Sequence, residues 1–156
     1  MKNDLFRVVF LRICLLLFFT FVLSCHSEKP VLVSGFAIEK AWIRIPPKGA
    51  KVTAAYFSIQ NESGKEEKIL KLTSDFANRL EMHTVEEVDS MIQMKKMEFL
   101  VLPQNEKVLF ETNGKHLMVY EIHRALQEGE IFLIHFEMES GKKISVPFLA
   151  KLREDS

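Results

Sequence analysis

The sequence predicts an all-β fold, an antiparallel β-sandwich, on three observations. Short β-branched and aromatic runs follow one another along most of the chain, turn residues separate them every eight to twelve positions, and no amphipathic helix of any length competes. With 156 residues, 47% hydrophobic and 27% charged, the composition is that of one folded globular domain.

The elements follow in order. Strands are predicted near Phe36–Ile45, Val52–Gln60, Lys68–Ser74, Arg79–Thr84, Met91–Met97, Phe99–Leu102, Lys107–Phe110, His116–Tyr120, Ile131–Met138 and Lys142–Leu149. Between them stand Pro46-Pro47-Lys48-Gly49, Asn61-Glu62-Ser63-Gly64, Pro103-Gln104-Asn105, Asn113-Gly114, Glu128-Gly129 and Ser140-Gly141, which supply fixed or positive φ. Leu126 and its neighbours have the pattern for a single helical turn at most.

The N-terminus reads as an export signal. Lys2, Arg7 and Arg12 precede the apolar run from Ile13 to Leu23, which ends in Ser24 and Cys25. This eleven-residue run falls short of the roughly 20 apolar residues that span a bilayer, so cleavage is the expectation. Val22-Leu23-Ser24-Cys25 resembles a bacterial lipoprotein processing site, which makes residues 1–24 a lipoprotein signal peptide and Cys25 the acylated first residue of the mature chain. Residues 25–35 then form a lipidated tether, residues 36–152 the sandwich domain and residues 153–156 a tail. The expected location is periplasmic and membrane-anchored.

Charge and cysteine count narrow the chemistry. Lys+Arg and Asp+Glu both number 21, and loss of residues 1–24 removes three bases and one acid, leaving 18 against 20. No basic stripe remains for a phosphate backbone, so nucleic acid is not an expected partner. Of the two cysteines, Cys14 lies in the segment expected to be removed and Cys25 is expected to carry lipid. Any metal held by the mature domain must therefore be bound through imidazole, thioether, carboxylate or backbone groups. No phosphate loop, nucleophile elbow or cysteine nucleophile is present, and an enzyme is not expected.

Among five His and seven Met, four residues are arranged: His83, Met94, His116 and Met118, in the spacing H-x10-M-x21-H-x-M. Chance would produce this preset pattern about three times in ten thousand such sequences. The spacing resembles that of the periplasmic copper chaperone family PCu(A)C. The resemblance continues through Ala41-Trp42-Ile43-Arg44, Pro46-Pro47, Gly49, Ala54-Ala55-Tyr56, Gly114-Lys115-His116-Leu117-Met118 and Leu126-Gln127-Glu128-Gly129-Glu130, from about Ala41 to about Phe148. It implies a cupredoxin-like Greek-key sandwich, a copper site made by His83, Met94, His116 and Met118, and a metallochaperone that supplies the copper centres of cytochrome c oxidase, with an oxidase subunit or another copper chaperone as partner. An envelope copper buffer or resistance protein, and a surface lipoprotein that makes only protein contacts, are the competing readings.

The residues support the implied site independently. His116 and Met118, two apart in a strand, emerge on one face while Leu117 and Val119 point to the core. A hairpin turning through Glu87-Val88-Asp89-Ser90 would set His83 opposite Met94, and His83 would share its face with Glu81 while Leu80 and Met82 point inward. Two thioethers and two imidazoles without a carboxylate suit Cu(I), a soft ion, better than zinc. Met82, Met91, Met97 and Met138 are assigned to the core or its flanks, with Met91 and Met97 also candidates to shield the ion. His26, His123 and His135 receive no role.

Overall fold

The computed structural model describes residues 30–152. The expected signal peptide at residues 1–24, the expected acylation at Cys25 and the expected tail at 153–156 lie outside the described residues. Eleven strands run in chain order: β1 (Val31–Val33), β2 (Phe36–Arg44), β3 (Val52–Asn61), β4 (Glu67–Ser74), β5 (Ala77–Val88), β6 (Met91–Met97), β7 (Leu100–Leu102), β8 (Lys107–Phe110), β9 (His116–Ile122), β10 (Ile131–Met138) and β11 (Lys143–Lys151). All ten expected strands form. The eleventh, β1, lies in the stretch read as tether and pairs with β2 across Ser34-Gly35, whose φ angles of 51° and 87° suit a two-residue hairpin turn. Val-Leu-Val before Ser-Gly was the hairpin signal in that stretch. Among the described residues no helix is long and apolar enough to cross a membrane, and Leu126 packs into the core from a loop.

The strands pair in the order β6-β5-β9-β3-β2-β11-β10-β4-β7, with β1 on β2 and β8 on β3. This one sheet folds over on itself through β2, whose ladder to β3 shifts register between Glu39 and Trp42 at Lys40, a residue with φ of 51°. Phe57 on β3 bridges the two layers. It stacks on Phe110 of the adjoining β8 and meets Phe136 of β10 and Phe148 of β11 edge-on, with centroids 5.4 and 5.6 Å away. Ile43, Ile59, Ile69, Leu102, Leu117, Val119 and Ile134 complete a fully buried core, and Met82 and Met138 fill it as expected.

One pairing departs from the antiparallel expectation. Leu149, Ala150 and Lys151 of β11 run parallel to Trp42, Ile43 and Arg44 of β2. The last strand thereby closes on the second, and the sheet is mixed. Alternation within either strand carries no mark of this, because a half-buried strand looks the same beside a parallel or an antiparallel neighbour.

Two handovers position the site. Strand β3 pairs with β9 through Val52–Ala55 and with β8 through Phe57–Gln60, so β8 and β9 share one edge of β3 and the loop through Asn113-Gly114 sits between them. Strand β5 pairs with β9 from Ala77 to His83 and with β6 from Met82 to Val88. Beyond His83, β5 leaves the body of the sheet and continues with β6 as a two-stranded ribbon.

Candidate metal centre

His83 and His116 form the last pair of the β5–β9 ladder, directly opposite each other, with ring centroids 6.0 Å apart. Both side chains are buried. They are held there because their strand neighbours are core residues: Met82 on one side, and Leu117, with Val119 two positions further along β9, on the other. Strict alternation then turns His83, His116 and Met118 to the opposite face together. Met118 stands across from Glu81, two positions along the same ladder.

Met94 reaches this face from the ribbon, by a register that differs from the expected one. The turn at the tip is two residues long, Asp89-Ser90, with φ of 52° and 62°, so Val88 pairs with Met91, Val85 with Met94, and His83 with Lys96. A two-residue turn with both φ positive matches strand twist better than the four-residue turn expected from the sequence. The slip is two positions, an even number, so Met94 stays on the face of His83 and becomes its diagonal neighbour. Diagonal positions lie roughly 7–8 Å apart, within reach of a long flexible side chain. Met94 is 57% exposed. Met91 and Met97 fall on the other face of β6, Met97 against the core, so neither shields the site.

Each histidine has one ring nitrogen committed. His116 Nδ1–H donates to the Gly114 carbonyl, 3.0 Å away, which leaves Nε2 with its lone pair. His83 Nε2–H donates to the Glu81 carboxylate at 2.9 Å, and its Nδ1 is buried with no hydrogen-bond partner in the protein. A buried acceptor without a donor is a cost of roughly 1–3 kcal/mol unless something binds it. This is the arrangement expected of a metal-ligating imidazole, whose second nitrogen is anchored by a carboxylate or carbonyl.

Glu81 is the residue whose contact the sequence did not disclose, although alternation had placed it on the face of His83. Its Oε1 receives Arg79 and Lys96, each at 3.2 Å, while Oε2 receives His83. The hydrogen bond from His83 holds its carboxyl below the ordinary carboxylate range, against burial that works to raise it, and Lys96 and Arg79 reinforce the lowering. Arg79 also lies 4.1 Å over the Tyr120 ring. His123 is in an exposed loop, and His135 of β10 bonds Ser145, remote from this cluster in the sheet. Among the described residues no three His, Cys, Asp or Glu side chains gather as a metal cluster; a binding set here has to include the thioethers.

A model of the LpqE-like family matches residues 36–149, all but the edges of the sandwich. The chain belongs to the LpqE-like family. The PCu(A)C kinship read from the residues extends to the fold of this LpqE-like domain. The copper-bound PCuAC domain from PmoF2 superposes with a TM-score of 0.67 at 15% identity, over 81% of this chain and 100% of that one. The apo PCuAC domain from PmoF1 gives 0.66 at 15%, over 80% and 99%. The CuI form of DR1885 from Deinococcus radiodurans gives 0.60 at 23%, over 80% and 81%. No curated protein matches the chain.

Proposed function

We propose that this chain is an envelope copper carrier that binds one Cu(I) through His83, Met94, His116 and Met118. The observation that carries the reading is the cross-strand pair His83–His116, each ring with one free nitrogen, flanked on the same face by two thioethers. Two neutral imidazoles and two thioethers form a soft, uncharged donor set that favours Cu(I) over hard cations and over zinc. The donor set contains no thiolate to be oxidised outside the cytoplasm. Copper-bound and CuI forms among the structures of the same fold support the same cargo.

The rest of the role follows as part of the proposal. Cleavage before Cys25 and its acylation would tether the domain to a membrane in the periplasm, in keeping with the lipoprotein description of the matched family. The exposed Met94 would be the ligand an acceptor reaches first, and neutral ligands release an ion readily, as a chaperone requires and an enzyme's resident metal site does not. The acceptor we propose is the copper centre of cytochrome c oxidase.

Competition titration of the mature domain against a chromophoric Cu(I) chelator tests the cargo. One equivalent is expected to bind tightly and the quadruple Ala variant at the four ligands to lose it; equal affinity in the two proteins would overturn the reading. In a deletion strain, lowered oxidase activity restored by added copper is expected. Normal oxidase activity with copper sensitivity would replace delivery by buffering.

A further inference from the structure

The four donors leave open which atom of each histidine meets the ion, and the hydrogen bonds around them answer it. We propose that Glu81 is a positioning residue that locks His83 to bind through Nδ1, while the Gly114 carbonyl locks His116 to bind through Nε2. The inference rests on the Cu(I) reading for the identity of the ion, but its structural half concerns the metal-free protein.

Three observations carry it. First, a carboxylate and a backbone carbonyl can only accept, so the nitrogen facing each must bear the hydrogen: Nε2 in His83, Nδ1 in His116. Second, the nitrogen left over in His83 is buried and has no partner in the protein. Third, Glu81 is itself fixed. Arg79 and Lys96 hold its Oε1 from two strands while Oε2 is directed to His83, and its side chain is only 12% exposed. A carboxylate clamped by two cations has little freedom to release the ring, and a ring held by one nitrogen presents the other in a single orientation. Outer partners of this kind typically change metal affinity by about 10–100-fold.

The test begins without metal. In the mature protein labelled with 15N-histidine, at a pH of about 8 where an ordinary imidazole is neutral, long-range 1H–15N spectra are expected to show the Nε2–H tautomer at His83 and the Nδ1–H tautomer at His116. Glu81→Ala is expected to release His83 into a mixture of tautomers, leave the His116 pattern intact, and weaken Cu(I) binding by about tenfold or more. Glu81→Gln, whose carbonyl oxygen still accepts, is expected to restore the tautomer and most of the affinity. The unchanged His116 signal shows that each variant is folded. An Nδ1–H tautomer at His83 in the parent protein, or a Glu81→Ala variant with unaltered tautomer and affinity, would overturn the proposal while leaving the carrier reading in place. The expected tautomers with no Cu(I) binding by the parent would instead remove the carrier reading and leave Glu81 as the residue that orients His83.

Discussion

His83 and His116 face each other at the end of a ladder, where β9 begins and β5 departs as a ribbon with β6. Two of the four proposed donors therefore stand on the rigid body of the sheet with Met118, and the fourth, Met94, stands on an arm. The two kinds of support lead to different expected costs of removal.

Met118 is half-buried beside its histidine and Met94 is mostly exposed, so ordering Met94 around an ion costs more side-chain entropy. Met118→Ala is expected to weaken Cu(I) binding more than Met94→Ala, by about tenfold, or 1.4 kcal/mol. Chelator competition on the two single variants measures the ratio, and a larger loss for Met94→Ala would contradict the ranking.

Asp89 and Ser90 both sit at positive φ at the ribbon tip. A non-glycine residue there is strained by roughly 1 kcal/mol, and Asp-Gly is a preferred pair for this turn. Ser90→Gly is expected to raise Tm by a few degrees and to leave Cu(I) affinity within twofold, read by thermal unfolding and competition titration.

Phe57 touches aromatic rings of three strands and is 3% exposed. Phe57→Ala opens a cavity where the two layers meet and is expected to cost about 3–5 kcal/mol, seen as a lower urea midpoint with little change in slope.

Glu67, at the start of β4, is 3% exposed, with Lys65 Nζ 3.2 Å from its carboxylate. Burial works to raise its pKa, but the hydrogen bond with Ser140 and the Lys65 charge outweigh it and hold the carboxyl below its ordinary value of 4.5. A depressed folded pKa contributes stability that is present above the unfolded value and is lost as pH falls through the folded one. Unfolding free energy is therefore expected to fall from about pH 5 downward, and Glu67→Gln to flatten that slope while lowering stability at neutral pH. Urea denaturation across this range compares the two.

The sequence by itself determined ten of the eleven strands and the face that the site's side chains take. Side-chain direction in a strand has a period of two and depends only on neighbours along the chain, so Leu117 and Val119 inside put His116 and Met118 outside. Even the mistaken register kept Met94 on the right face, because the error was an even number of residues. Only the tertiary structure decided who stands opposite whom. The Asp89-Ser90 turn sets Lys96 rather than Met94 across from His83, the closing of β11 on β2 makes one pairing parallel, and Glu81 spends its two oxygens on partners from two strands. These are relations between segments far apart or across a turn whose length must fit the twist of the sheet, and local alternation is blind to both.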